Sequence, residues 1–153
     1  AALIKADVTD LPAAAIELPD GKVVTGRTSE LLGASSALLL NALKELADIP
    51  DEVHLISPSA IEPIQKLKVE HFGNRNPRLH TDETLIALSI CAATDPNADA
   101  AMQQLGKLRG CEVHSSVMLS AVDEKIFRRL GMNLTCEPCY RGTAQDDNAE
   151  SIG

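Results

Sequence analysis

Aromatic residues are nearly missing from this chain. Phe72, Phe127 and Tyr140 are the whole set, 2 % of 153 residues, and there is no tryptophan. Stacking platforms for bases and sugars need aromatic faces, so single-stranded nucleic acid and carbohydrate are poor partners and the core must be aliphatic. Positive charge is also short: 14 Lys and Arg stand against 22 Asp and Glu, a net charge of −8. That balance argues against nucleic acid or an anionic membrane as partner. No 18-residue apolar run occurs, so no membrane span is predicted. No charged n-region, apolar h-region and cleavage site open the chain, which points to a cytoplasmic setting. Its first residues are Ala1-Ala2-Leu3 rather than Met, and a piece of something longer is expected.

At this length one α/β domain with a sizeable core is expected. The hydrophobic fraction of 44 % and charged fraction of 24 % fit that class. Residues 1–11 are read as a lead-in from a preceding domain, 12–140 as the single domain, and 141–153 as a flexible acidic tail. Ala13–Leu18 and Val23–Gly26 flank Pro19-Asp20-Gly21, a turn in which Pro presets φ and Gly accepts φ > 0, so a β-hairpin is predicted. Leu38, Leu39, Ala42, Leu43 and Leu46 recur at helical spacing over 35–47, with Ser35 or Ser36 as N-cap. Val53–Ile56 is predicted as a strand. Ser57-Pro58-Ser59 opens the next helix, with Ser59 and Glu62 at capping-box spacing and Pro63 in the first turn.

Residues 72–80 (FGNRNPRLH) form a polar loop. Thr81, as N-cap, starts a helix to 93 whose Leu85, Ile86, Leu88, Ile90 and Cys91 predict burial on most sides. Another helix over 98–108, a strand over 111–119, a helix over 122–130 and a strand over 132–136 complete the pattern. Together these predict a three-layer α/β/α domain: a mixed sheet of about five strands, helices on both faces and the hairpin at one edge.

Residues 13–66, with AAAIELPDGKVVTG, SSALLLNALKEL and VHLISPSAIEPIQKL, resemble the frame of the cytidine-deaminase-like fold. That frame is a hairpin, a helix carrying one zinc ligand near its start, a strand, and a second helix carrying two cysteines. Longer strings resemble the C-terminal region of an uncharacterised bacterial protein family: TGRTSELLGASSALLLNALKEL, HLISPSAIEPIQKLK, GNRNPRLHTDETLIALSICAAT, KLRGCEVHSSV and LGMNLTCEP. The match runs from about Pro12 to Pro138. Members of that family are much longer, and some carry an ATP-dependent or zinc peptidase label. The resemblance implies a glycine-rich, phosphate-loop-like stretch upstream, which would place nucleotide chemistry outside this domain. It also implies upstream domains of the same chain as partners.

The deaminase reading is tested by its ligands. Zinc deamination needs H-x-E and P-C-x-x-C, but the matching helix starts hold Ala34-Ser35-Ser36 and Ser57-Pro58-Ser59-Ala60. Without ligand or proton shuttle, the chain is not read as a zinc deaminase. No H-E-x-x-H motif or its inverse occurs, so peptidase chemistry is not expected either. Thr25–Glu30 lacks the glycine cradle and Gly-Lys-Ser/Thr ending of a P-loop.

Cys111-Glu-Val-His114 and Cys136-Glu-Pro-Cys139 have the count of a four-ligand zinc site. Positions i and i+3 of a strand face opposite sides, however, and a strand–helix–strand intervenes. Pro138 weakens a redox reading of Cys136 and Cys139. Four reduced thiols, with Cys91 in the core, and neither metal nor cofactor are expected.

Two functions remain. Helix starts bearing Ser35, Ser36, Ser57 and Ser59, with Arg78 and His80 of the polar loop, would bind an anionic small molecule through N–H groups and hydroxyls. The bland alternative makes the serines plain N-caps and the Arg75–His80 loop a solvated connection or a docking surface. The chain is then a structural or homo-oligomerisation domain, betrayed by apolar surface on Leu31-Leu32 or on the helix carrying Leu85–Cys91.

Overall fold

The computed structural model describes residues 13–29, 32–116 and 119–136. The expected lead-in and acidic tail lie outside them. The hairpin forms as predicted, β1 (Ala13–Glu17) pairing antiparallel with β2 (Val23–Arg27). Gly21 adopts φ 89° in its turn, and Asp20 Oδ1 accepts from Lys22 N–H at 3.0 Å. Helix α1 (Ala34–Leu46) follows, then α2 (Pro58–Lys66), a π-helical turn over Leu67–His71, α3 (Thr81–Cys91), α4 (Pro96–Met102) and a 3₁₀ turn over Leu105–Leu108. Strand β3 (Glu112–Ser115), α5 (Ala121–Arg129) and β4 (Asn133–Cys136) complete the domain.

The sheet is mixed, in the order β2-β1-β3-β4, with β1 antiparallel to β3 and β3 parallel to β4. The hairpin does supply one edge. One face of the sheet carries Ala14, Ile16, Val113 and Ser115, all 0–1 % exposed. Gly26 lies opposite Ala14 on β2. A Cβ at Gly26 would stand 2.5 Å from Leu38 N and 2.7 Å from Leu38 Cα. Glycine is needed there because α1 rests directly on the strand backbone. Leu38, Leu39 and Leu43 of α1 are fully buried, and Leu88, Leu108 and Phe127 extend the same aliphatic cluster. On the opposite face Glu112 and His114 are exposed, so the third layer expected from the sequence does not cover β3.

Four strands are found among the described residues, not five, because 53–56 is no strand. Its Leu55 and Ile56 are buried, but its backbone is engaged elsewhere. Lys44 Nζ of α1 donates to Asp51 O and Val53 O, and Val53 N–H closes a turn onto Pro50 O. A short apolar run between two helices satisfied its burial without pairing.

Other boundaries shift too. Gly33, not Ser35 or Ser36, is the N-cap of α1, and His80, not Thr81, is the N-cap of α3. Ser57 caps α2 without a side-chain bond, and Pro63 sits beyond the first turn. The predicted helix over 98–108 begins earlier, at Pro96 behind the Asp95 cap, and ends in the 3₁₀ turn. Helix α3 is not buried on most sides, since Ile86 is 60 % and Ile90 68 % exposed.

Candidate functional site

The densest polar cluster forms where the segment Arg78–Thr81 threads between three helix starts. A helix start presents unpaired N–H groups and partial positive charge. Here part of that demand is met by the protein's own oxygens. At α1, the Leu79 carbonyl accepts from Gly33 N–H at 3.3 Å and from the Ser36 hydroxyl at 2.9 Å. At α3, Asp123 Oδ1 accepts from Thr81 N–H at 3.0 Å and from the Thr81 hydroxyl at 2.8 Å. Asp123 itself belongs to the first turn of α5, and its N–H donates to the Ser120 N-cap hydroxyl at 3.2 Å. Leu79 and Thr81 are 1 % and 0 % exposed, so the junction is closed to water at its centre.

A charged knot adjoins it. Lys68, in the π-helical turn, has a buried side chain whose Nζ donates to Glu83 Oε1 and to Arg78 O, both at 2.7 Å. Glu83 Oε1 also accepts from His80 N–H at 2.9 Å, capping α3, and faces His80 Nδ1 at 3.6 Å. Burial alone would raise the Glu83 pKa. The bonds from His80 and Lys68 outweigh it and hold the carboxyl at about 2. His80 is pushed the other way, its pKa raised by the Glu83 carboxylate against the effect of its own partial burial, with Asp123 adding to it. Arg78 is fixed as well, its Nε donating to Ser29 O and its N–H to Asn76 Oδ1.

Of the six residues singled out from the sequence, Ser36, Arg78 and His80 meet here. Ser35 lies buried beside Ser36 in the first turn of α1. Ser57 and Ser59 are exposed at the start of α2, where their hydroxyls bond each other at 3.0 Å. The start of α1 therefore joins those of α3 and α5, not that of α2. Lys68, Glu83 and Asp123 were missed. Glu83 and Asp123 carried a signal: each stands three residues after an N-cap, His80 or Ser120, the spacing of a capping carboxylate.

A second recess lies between α1 and the 53–56 segment, lined by Ala37, Leu40, Lys44, Leu55 and Ile61. Its volume of about 130 Å³ is below the roughly 300 Å³ at which small-molecule pockets begin. Cys111 is buried, its Sγ 3.6 Å from Lys107 O, whereas His114 is exposed on the other sheet face. Among the described residues no group of three or more His, Cys, Asp or Glu is placed to hold a metal. Cys139 of the four-ligand pattern lies outside them.

With the fold and this junction in place, comparison with known proteins assigns the chain. Residues 1–145 match a family described as "Domain of unknown function DUF1846, C-terminal". The chain belongs to this family. Similar proteins carry the name UPF0371 protein. One from Corynebacterium diphtheriae is 60 % identical over 133 residues, covering 87 % of this chain and 27 % of the relative. One from Corynebacterium urealyticum is 59 % identical over 132 residues, covering 86 % and 27 %. One from Streptococcus pneumoniae is 51 % identical over 137 residues, covering 90 % and 28 %. The chain thus spans little more than a quarter of these DUF1846 relatives, which are uncharacterised bacterial proteins.

Proposed function

We propose that this DUF1846 domain is a structural domain of a longer polypeptide, with no small-molecule ligand of its own at the helix starts. One observation carries the reading: the Gly33 N–H and Ser36 hydroxyl at α1, and the Thr81 N–H and hydroxyl at α3, are already engaged by the Leu79 carbonyl and the Asp123 carboxylate. An incoming phosphate would have to displace both, and it would meet the negative charge of Asp123 and Glu83. Ser36 serves the fold rather than a ligand.

Kinship to the cytidine-deaminase-like frame belongs to the same proposal, with β3 and α5, rather than 53–56 and α2, standing as its strand and second helix. The hairpin, the strand order β2-β1-β3-β4 and the helix linking β3 to β4 support it. No described helix is long and apolar enough to cross a membrane. A cytoplasmic setting fits the free thiols of Cys91 and Cys111.

Backbone amide shifts of 33–36 and 80–83, followed by NMR while inorganic phosphate or ATP is added, test the reading. Unchanged shifts are expected up to about 10 mM ligand, a weak-binding limit of roughly 3 kcal/mol. A saturable change that Ser36→Ala and Thr81→Val remove would overturn it.

A further inference from the structure

We infer that the outer face of α3 is the surface by which this domain packs against the rest of its own polypeptide, the portion that makes up about 73 % of the length of its relatives. The inference rests on reading the chain as a structural domain and names its partner.

Ile86 and Ile90 are one helical turn apart, so they share a stripe of α3, and they are 60 % and 68 % exposed. Ser89 lies between them on that stripe. Its hydroxyl donates to Ile86 O at 2.8 Å, so the face keeps its polar side chain satisfied when water leaves. Ala93 extends the stripe past the end of the helix, and the opposite side of α3 is sealed by Thr84, Ala87 and Leu88 at 0–3 % exposure. The helix is also held firmly. Asp123 grips its first residue and Glu83, itself bonded to Lys68, caps it. A stripe fixed in this way loses little conformational freedom on docking. Leu67, Val69 and Phe72 are also exposed, in and just after the π-helical turn, and Val23 and Val122 lie singly on β2 and α5.

The area decides the occupant. Two isoleucines, an alanine and a serine offer on the order of 200 Å², against roughly 800 Å² per partner in a stable interface between free molecules. On this stripe alone a second copy has too little to hold. A segment of the same polypeptide is tethered at an effective concentration of about 1 mM or more, where a small apolar contact suffices.

The test is made in the full-length polypeptide that carries this chain, with a benzophenone amino acid at position 90 and, as control, at position 23. After illumination, mapped peptides are expected to join position 90 to residues of the same molecule outside this domain, with no such product from position 23. Ile86→Ser with Ile90→Ser is expected to raise the rate of proteolytic release of the domain about tenfold, with unchanged far-ultraviolet circular dichroism. Cross-links between two copies, cross-links only within the domain, or none from position 90 would each overturn the inference and leave the structural reading standing. Saturable phosphate binding at α1 and α3 would do the reverse, removing the structural reading while the α3 contact stayed on the map.

Discussion

Lys68→Met gives the sharpest test of how the junction is held. Lys68 is buried, and its ammonium carries two bonds of 2.7 Å, to Glu83 and to the Arg78 carbonyl. Methionine fills similar space but donates nothing, leaving a carboxylate and a carbonyl each short of a partner. Removing one member of a buried ion pair costs about 3–5 kcal/mol. Glu83 is 28 % exposed and keeps its His80 bonds, so rehydration recovers part of that. A second route agrees: holding the Glu83 carboxyl at about 2 instead of 4.5 sets a ceiling of about 3 kcal/mol at 1.36 kcal/mol per unit. The expected loss is therefore about 2 kcal/mol, read from urea unfolding at pH 7.

The pH dependence follows from the same bond. Glu83 has a depressed folded pKa, so its contribution is full above pH 4.5 and is lost as pH falls towards 2. Without Lys68 the folded pKa rises, so the acid limb should still begin near pH 4.5 but end at higher pH and lose less stability. Adding Glu83→Gln should recover about 1 kcal/mol relative to the sum of the single losses. A Lys68→Met protein within about 0.5 kcal/mol of wild type, or a strictly additive cycle, would refute this account of the junction.

Gly26→Ala should cost about 3 kcal/mol, because its Cβ would press on the backbone of α1; Gly106→Ala, with nothing within 4 Å, should cost under about 1 kcal/mol in the same denaturant series. Ser36→Ala should lose about 1–2 kcal/mol by leaving the Leu79 carbonyl short of a donor, measured as a shift in urea midpoint. His80 has a raised folded pKa, so its contribution is full below pH 6.5 and disappears as pH rises through the folded value. The melting temperature should fall over that window in wild type and fall less in His80→Asn; equal slopes would count against the His80–Glu83 contact.

Legibility in the sequence followed local chemistry. Pro19-Asp20-Gly21 announced the hairpin because turn residues act on their own backbone. The leucines of α1 announced their helix because one face is uniformly apolar. Val53–Ile56 misled because a short segment rich in Val, Leu and Ile looks alike whether or not it pairs, and the deciding bonds come from Lys44, nine residues upstream of Val53. The serines misled for a related reason. Ser36 has the composition of a cap or a ligand donor, yet its partner is Leu79, 43 residues away. Lys68 gave no signal, since lysine is expected in solvent and its burial depends on Glu83 from another helix. Thr81 was misjudged as N-cap because serine and threonine usually fill that place, whereas here the Glu83 carboxylate lets His80 take it.

The sheet order carries a consequence for how the chain is made. β1 is completed by β3, and Ala14 and Ser115 are partners although roughly 100 residues separate them. At a synthesis rate of about 5–20 residues per second, the inner edge of the hairpin waits roughly 5–20 s for its partner strand to emerge. During that interval α1 can already lie over Ala14 and Ile16, but the edge of β1 is open to any other strand. The nascent chain is most exposed to misassembly before its last third exists, so its yield in cells should respond to translation speed and to holding chaperones even if the finished domain is stable.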